Sequence, residues 1–264
     1  MKRKLLCGLL AALTLTCLSV KAAPSRVVPV QVDSTVLSQG VNYLENGVTY
    51  VPLRALLNTM GDWDIWWDEA TGRAAAASDD THLWADPAAD TVTVDEKTVR
   101  GRVTVENGVT YVPLRLVGEA LGCQVEWDPY LRGATVTSPG AAYDAGELYW
   151  LSRIICAESG AESMSGQIAV GNVILNRVRS GSFPNTVEGV IFDRKDAVQF
   201  EPVSNGRVYL PPTSQSVEAA KRALDGENVV GSALYFYAPA LSQGTWINAN
   251  RPYQQTIGCH RFYL

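Results

Sequence analysis

Apolar residues recur at helical spacing between positions 148 and 158. Leu148, Leu151 and Ile155 share one face of the predicted helix, and Glu158 is the next position on that face. Burying an unpaired carboxylate costs several kcal/mol, so such a Glu is expected to be paired, protonated with a raised pKa, or at the edge of a cleft. The alternative is that the helix simply ends there, because Ser159-Gly160 follows and Gly commonly terminates helices.

A second helix is predicted from about Met164 to Val178, with Ser163 as its N-cap. Further along, aromatic residues 235–237 are predicted to form a strand, so their side chains should alternate between its two faces. The second half of the chain is therefore predicted to mix helices with a few strands, which is an α+β arrangement.

The first half contains an internal repeat. The ten residues 45–54, ENGVTYVPLR, recur unchanged at 106–115, and such identity indicates a duplication. Asn-Gly between β-forming residues predicts a tight hairpin, and the Pro that follows is expected to end the second strand before a helix. Each copy then reaches a Trp-Asp pair and a further strand. We therefore predict a separate α+β domain made of a duplicated hairpin-helix-strand unit.

Charge and composition divide the chain into two parts. Residues 23–140 carry 16 Asp and Glu against 8 Lys and Arg, whereas residues 141–264 carry 11 against 10. A breaker cluster, Ser138-Pro139-Gly140, lies at this change of composition. The predicted organisation is a signal peptide over 1–22, a repeat domain over 23–138, a linker over 139–146 and a second domain over 147–264.

The N-terminus has the features of a secretory signal peptide. Lys2-Arg3-Lys4 precede an apolar run over residues 5–18, and Val20-Lys21-Ala22 fits a cleavage site. Its removal takes away four positive and no negative charges, which makes the net charge of −5 more negative and disfavours nucleic acid as a partner. The apolar run is short for a membrane span, so no stable span is expected after cleavage.

The repeat domain, with Tyr-Val-Pro-Leu-Arg followed by Gly and Trp-Asp, resembles the copper amine oxidase N-terminal-like domain over about residues 28–138. Copper itself is not expected, because His82, Met60 and Cys123 show no ligand spacing. Arg54 and Arg115 at the helix starts are expected to pair with a local Asp, and the alternative is that they bind an acidic ligand. We interpret this half as an attachment or positioning module.

The second half is similar to the SleB-type cell wall hydrolase family in the order of its motifs. The matching segments are Ala157–Ser163, Gly166–Val170, Asn176–Val178, Phe183–Thr186, Gly189–Ile191, Gln199–Val203, Ala233–Tyr237, Trp246–Ile247 and Ile257–Tyr263. The resemblance implies a lysozyme-like, goose-type transglycosylase-like domain that cleaves the glycan backbone of peptidoglycan, in cell wall turnover or in spore cortex lysis. The family's catalytic Glu falls on Glu158, the position that periodicity singles out.

The chemistry implied by the resemblance needs one carboxyl group. A protonated Glu158 would donate to the glycosidic oxygen, and the resulting carboxylate would take the proton of the sugar's own 6-hydroxyl, closing an anhydro ring without water. A muramidase-type hydrolysis is the alternative. No cofactor and no metal are required, and glycan strands of peptidoglycan are the expected partner. The predicted location is secreted or in the cell wall, with a spore-associated role as one option.

Further site residues are implied by the same resemblance. The predicted substrate-binding residues are Glu162, Gln167, Gln199, Phe200, Tyr237, Trp246 and His260. Glu162 is expected to raise the pKa of Glu158 by like-charge proximity, or else to cap the following helix. Phe200 fits the core as well as a sugar-stacking wall, Trp246 is expected in a polar loop, and a structural role remains the alternative for His260. Where the family often has other residues, Cys156 and Cys259 form a candidate disulfide.

Three rival functions remain open. A peptidase could use Cys156 as nucleophile with His260 as base. A zinc amidase would want about three ligands, typically including two His, but His82 and His260 fall in different predicted domains. A wall-binding protein with an inert Glu158 is the non-enzymatic alternative.

Overall fold

The computed structural model describes residues 26–195 and 198–264, so the signal peptide predicted over 1–22 lies outside the described residues. A β-rich half is followed by a mainly helical half with a small sheet, and the predicted α+β class is confirmed. Within the described ranges, no helix has both the length and the apolar character needed to cross a bilayer.

The first half contains both copies of the repeat. Its elements in chain order are β1 (Arg26–Val27), β2 (Val30–Val32), β3 (Thr35–Val36), β4 (Tyr43–Glu45), β5 (Val48–Pro52), α1 (Leu53–Met60), β6 (Asp64–Asp68), β7 (Arg73–Ser78), β8 (Thr81–Asp86), β9 (Thr91–Val94), β10 (Lys97–Arg100), β11 (Thr104–Glu106), β12 (Val109–Pro113), α2 (Leu114–Ala120), β13 (Gln124–Asp128) and β14 (Gly133–Thr137).

The two Asn-Gly pairs form the predicted tight turns. Asn46 and Gly47 have φ values of 51° and 80°, and Asn107 and Gly108 have 52° and 78°. Two successive positive φ values are the requirement of a type I′ turn, which Asn-Gly satisfies best. In both copies the helix begins directly after the Pro of the returning strand.

The duplicated strands pair with each other about a local two-fold axis. β5 and β12 are antiparallel, and Val51 lies opposite Val112, which is the same position in the other copy. The sheet order is β1-β4-β5-β12-β11. Because the axis passes between these two valines, the Asn-Gly turn of each copy reaches across to the helix start of the other copy.

The copies differ after their Trp-Asp pairs. In the first copy, β7 continues into a meander, giving the sheet β10-β9-β8-β7-β6, which the sequence did not predict. In the second copy, β14 pairs in parallel with the N-terminal strand β2, giving the sheet β13-β14-β2-β3. Apolar side chains from all three sheets and both helices form one core.

The second half surrounds one central helix. Its elements are α3 (Ala145–Ser159), α4 (Met164–Arg179), α5 (Val187–Ile191), α6 (Glu201–Asn205), a 3-10 turn (Arg207–Tyr209), α7 (Ser214–Leu224), β15 (Tyr235–Tyr237), α8 (Thr245–Asn250), β16 (Tyr253–Ile257) and β17 (His260–Tyr263). The Ser163 side chain accepts the Gly166 N–H, so the predicted cap of α4 is confirmed.

Helix α3 begins earlier and is more enclosed than the sequence predicted. Asp144 caps it by accepting the Glu147 N–H at 2.9 Å, so the helix starts inside the predicted linker 139–146. Buried side chains occupy almost every face, among them Tyr149, Trp150 and Arg153. The predicted stripe of Leu148, Leu151 and Ile155 is buried as expected, and the other faces are buried too, because α3 packs against α4, α5 and α7 and also against β14 and β2.

The two halves are joined by direct contacts as well as by the chain. The fully buried Trp150 donates its indole N–H to Oδ2 of Asp128, the Asp of the second Trp-Asp pair. Nearby, the ring of Tyr130 stacks on Phe192 with centroids 4.0 Å apart. The repeat domain therefore packs against the first half of α3, and the segment between them is short and held in place.

Because of the Asp128–Trp150 hydrogen bond, we expect substitutions of these two residues to have non-additive effects on the free energy of unfolding. A bond to a buried carboxylate contributes about 1.5 to 3 kcal/mol, because its loss leaves a charged acceptor unsatisfied. Urea unfolding of Trp150→Phe, Asp128→Ala and the double variant should give a coupling free energy of this size. Trp84→Phe combined with Asp128→Ala is the control and should be additive. Additivity of the Trp150 pair would contradict the prediction.

Candidate active site

Glu158 lies in the last turn of α3, one residue before the helix ends at Ser159. The helix does end there, as the alternative interpretation proposed, and the carboxyl group is nevertheless largely enclosed. Among the residues that the structure describes, none makes a hydrogen bond or ion pair to this carboxyl. It is therefore a largely enclosed acid whose oxygens remain available to a ligand.

Burial raises the pKa of Glu158 to about 7. The nearby Arg207 guanidinium lowers this pKa, and the Glu201 carboxylate raises it. The C-terminal end of a helix also disfavours a negative charge, which acts in the same direction as burial. Near neutral pH the group is thus poised between the acid and the carboxylate, as a residue that serves in both roles requires.

The like charge near Glu158 is Glu201, so the prediction that Glu162 plays this part was wrong. Glu201 opens α6, and Arg207 begins the 3-10 turn immediately after Gly206, whose φ of 81° reverses the chain. This 3-10 turn packs against α3. Sequence reasoning missed both residues: Glu201 falls inside a quoted family motif, but Arg207 carried no local signal.

Glu162 holds the turn between β16 and β17. Its two carboxylate oxygens accept the Cys259 N–H at 3.2 and 3.3 Å. A Cβ at Gly258 would lie 1.8 Å from Oε2 of Glu162, so only Gly fits beside this carboxylate. The cap of α4 is Ser163, so Glu162 neither raises the pKa of Glu158 nor caps α4, and its carboxylate anchors a turn instead. Substrate contact by Glu162 stays a prediction.

His260 is buried beneath the same turn. Its ring meets Phe236 edge-on at 5.4 Å, and Nδ1 lies 3.8 Å from the Glu162 carboxylate, beyond hydrogen-bond distance. Burial lowers the pKa of His260, although Glu162 opposes this effect. Because the side chain is enclosed, the substrate contact predicted for His260 is wrong in this structure, and the structural alternative holds.

Gln167 is another predicted substrate contact that the structure places in the interior. Its side chain is fully buried, donates to the Glu162 carbonyl at 3.1 Å and accepts the Ser216 hydroxyl at 2.8 Å. These bonds tie the loop after α3 to α7. The prediction is corrected accordingly, because a fully buried amide with both ends bonded cannot reach a ligand.

Phe200 and Gln199 differ in their surroundings. Phe200 is buried in the core with its ring 6.3 Å from that of Phe236, so stacking on a sugar was the wrong alternative. Gln199 is half-buried, and its Oε1 accepts a hydrogen bond from Arg177 at 3.3 Å. Arg177, which sequence reasoning did not single out, is buried over the rings of Phe183 and Phe200, and burial lowers its pKa to about 10.

Tyr237 and Trp246 remain candidates for substrate contact. The Tyr237 hydroxyl is bonded to the Asn248 amide at 3.0 Å, and its ring stacks on Tyr263. Trp246 is 56% exposed and lies on the short helix α8, which corrects the predicted polar loop. The Arg251 guanidinium lies 5.2 Å from the Trp246 ring.

The candidate disulfide is not formed. Cys156 and Cys259 are both free thiols, the first half-buried and the second exposed. A hydrogen bond with Glu162 raises the pKa of Cys259. No hydrogen bond connects Cys156 with His260 in the described part of the chain. That part also contains no group of three His, Cys, Asp or Glu side chains arranged to hold a metal ion.

Comparison with known proteins gives a consistent assignment for both halves. Residues 161–263 match the cell wall hydrolase family, and residues 31–136 match the copper amine oxidase N-terminal domain family. A spore cortex-lytic enzyme of Bacillus cereus is 37% identical over 134 residues, which are 51% of this chain and 49% of that protein. One from Oceanobacillus iheyensis is 36% identical over 120 residues, covering 46% of this chain and 42% of the relative.

Solved structures give matches in the same region. The catalytic domain of the germination-specific lytic transglycosylase SleB from Bacillus anthracis is 38% identical, with a TM-score of 0.43, and the match covers 48% of this chain and 99% of that domain. The chain spans about half or less of the length of the curated relatives named above. On the family matches, residues 161–263 are a cell wall hydrolase domain and residues 31–136 are a copper amine oxidase N-terminal-like domain.

Proposed function

We propose that this protein is an exported lytic transglycosylase that cleaves the glycan backbone of peptidoglycan, with Glu158 as its single catalytic acid and base. The observation that carries the proposal is the environment of Glu158. Burial at the end of an enclosed helix raises its pKa to about 7, and no described residue makes a hydrogen bond or ion pair to its carboxyl group. A general acid for glycoside cleavage needs both features.

The reaction begins with the protonated form of Glu158. Its proton passes to the glycosidic oxygen as the bond from the sugar C1 to that oxygen breaks, and positive charge develops on the ring. The carboxylate that remains accepts the proton of the same sugar's 6-hydroxyl, whose oxygen bonds to C1 and forms a 1,6-anhydro ring. Glu158 ends the cycle protonated, so the reaction needs neither water nor a second carboxylate.

Arg207 and Glu201 assist in opposite phases of this cycle. The Arg207 cation stabilises the carboxylate that forms when Glu158 gives up its proton, and the negative charge of Glu201 favours the cationic sugar. Because both are exposed, their effect is screened by solvent and remains smaller than that of burial.

The family and the relatives support an extracytoplasmic substrate. The relatives are named for lysis of the spore cortex. Export through the predicted signal peptide would bring this chain to such a substrate. We propose the cell wall or the spore cortex as its place of action.

Product analysis tests the proposed chemistry. Purified peptidoglycan treated with the protein should yield glycan fragments lighter by the mass of one water than hydrolysed muropeptides. Glu158→Gln should abolish these products, since an amide cannot donate the required proton. Glu162→Gln is the matched control, because it alters a nearby carboxylate that anchors a turn.

Other products would contradict the proposal in distinct ways. Hydrated sugar ends would indicate a muramidase. Cleavage of peptide or amide bonds that survives Glu158→Gln would overturn the assignment of both the bond and the residue.

The pH dependence of kcat/KM should report the ionisation of Glu158. Activity is expected to fall as pH rises through about 7, because the general acid loses its proton there. Arg207→Gln should move this falling limb to higher pH, and Glu201→Gln should move it to lower pH, since the two charges have opposite effects on the same pKa. Shifts in the same direction for both variants would contradict this assignment.

The raised pKa of Glu158 also predicts that the stability difference between Glu158→Gln and the parent depends on pH. The unfolded chain ionises Glu158 near its ordinary pKa of 4.5, whereas the folded protein keeps the proton up to about 7. The folded state is therefore progressively penalised as pH rises between these values. As pH rises from 4.5 to 8, the free energy of unfolding of Glu158→Gln should increase relative to that of the parent by up to about 3 kcal/mol, measured by urea unfolding. Glu218→Gln, at an exposed position of α7, should track the parent at both pH values.

A further inference from the structure

The repeat domain contains two equivalent grooves, each built from both copies of the repeat. The Trp127 groove is formed by Arg115 and Trp127 of the second copy with Val48 from the turn of the first, around a cavity of about 360 Å³. The Trp67 groove is formed by Arg54 and Trp67 of the first copy with Val109 from the turn of the second, around about 150 Å³. The same positions of the repeat line both grooves.

The two-fold pairing of the duplicated strands generates this equivalence. Since Val51 lies opposite Val112, each Asn-Gly turn extends beside the helix start and Trp strand of the other copy. Both grooves thus require both copies. A single repeat unit would lack the turn that forms one wall.

Each groove contains a partly exposed indole ring. Trp67 is 38% exposed and Trp127 is 42% exposed, which is unusual for the largest apolar side chain in a domain with an ample core. The neighbour across the strand pair is Ala74 for Trp67 and Ala134 for Trp127. These small residues leave the indole uncovered in both copies.

An arginine is fixed beside each indole. Arg54 donates to the Ile65 carbonyl at 2.9 Å, and Arg115 donates to the Val125 carbonyl and lies 3.3 Å from Glu119. Among the described residues neither Arg has the predicted local Asp as its partner, and Arg115 pairs with Glu119 instead. Because a guanidinium has five N–H donors, each side chain is anchored and still offers donors to a ligand.

We propose that the two grooves bind uncharged N-acetylated sugar rings of a peptidoglycan glycan strand. The choice of this polymer rests on the function proposed above. The apolar face of a pyranose ring fits an exposed indole, and the acetamido carbonyl fits the fixed guanidinium. The repeat domain then holds the substrate polymer that the hydrolase domain cleaves.

Charge and symmetry favour this occupant over others. Residues 23–140 carry twice as many acidic as basic residues, 16 against 8, so a polyanion such as teichoic acid would be repelled. Two equivalent sites on one rigid domain fit a polymer of repeating units, because linked sites gain avidity on such a ligand.

The Trp127 groove also continues toward the hydrolase domain. Glu126 and Trp127 line both this groove and a second cavity of about 410 Å³, whose other walls include Trp150 and Glu147 of α3. A strand in the Trp127 groove would thus leave it along the boundary with the catalytic half.

Co-sedimentation with insoluble peptidoglycan tests the grooves. The full chain carrying Glu158→Gln, which prevents cleavage, is incubated with sacculi stripped of teichoic acid and with unstripped sacculi. Trp67→Ala and Trp127→Ala should each weaken apparent binding about tenfold or more through lost avidity, and the double variant should lose saturable binding. Trp84→Ala, a half-buried indole of the same domain outside both grooves, is the matched control and should bind like the parent.

A second pair of variants guards against loss of folding. Arg54→Gln and Arg115→Gln change exposed side chains and, combined, should also weaken binding at least tenfold with an unchanged melting temperature. Binding by the double Trp variant within twofold of the parent would overturn the proposal. The proposal would also be overturned if the parent bound unstripped sacculi but not stripped sacculi, since the ligand would then be the anionic polymer.

The grooves and the proposed activity can fail independently. Cleavage of soluble glycan fragments by the chain with Glu158 intact reports the catalytic proposal, and Trp84→Ala, outside both grooves, should leave it unchanged. If the parent binds sacculi through the grooves but releases no glycan products, the proposed function fails while the grooves stand. If the products appear and the Trp variants bind normally, only the grooves fail.

Discussion

The enclosure of helix α3 is the constraint on which the rest of the structure depends. Helices α4, α5 and α7 cover it on the hydrolase side, and strands β14 and β2 of the repeat domain cover it on the other. A helix buried in this way has little freedom to slide or rotate, since interiors pack at nearly crystalline density. Its last turn places Glu158 where burial and the helix end both oppose ionisation, so the raised pKa follows from the packing of the whole half.

The duplication supplied the contact that encloses α3 from the repeat side. Asp68 and Asp128 are equivalent, and both accept backbone N–H groups of the turn that follows them. In the first copy the second carboxylate oxygen accepts the hydroxyl of Thr71, a bond within the same turn. In the second copy this oxygen accepts the indole N–H of Trp150. One structural carboxylate thus became the connection between the domains without losing its role in the turn.

Sequence alone predicted the features that depend on local chemistry. The Asn-Gly turns, the Ser163 cap and the position of Glu158 at a helix end follow from residues within a few positions of one another. Features that depend on distant contacts were missed or misassigned. Glu162 and Gln167 lie beside Glu158 in sequence, yet their partners are Cys259 and Ser216, which are 97 and 49 residues away, respectively. Periodicity could not reveal that α3 is covered on all sides, because the covering strands belong to another domain.

Helix α3 also fixes the distance between the Trp127 groove and Glu158. Trp150 borders the cavity that continues the Trp127 groove, and Glu158 lies eight residues further along α3, which at the helical rise is about 12 Å. With a flexible linker, the repeat domain could take many positions relative to Glu158. It would then raise only the local concentration of the polymer. Because Asp144, Asp128 and Tyr130 hold the junction, a strand in the groove instead meets α3 at one distance and one orientation. The packing therefore favours a repeat domain that aligns its polymer relative to Glu158 over one that merely tethers the enzyme to it.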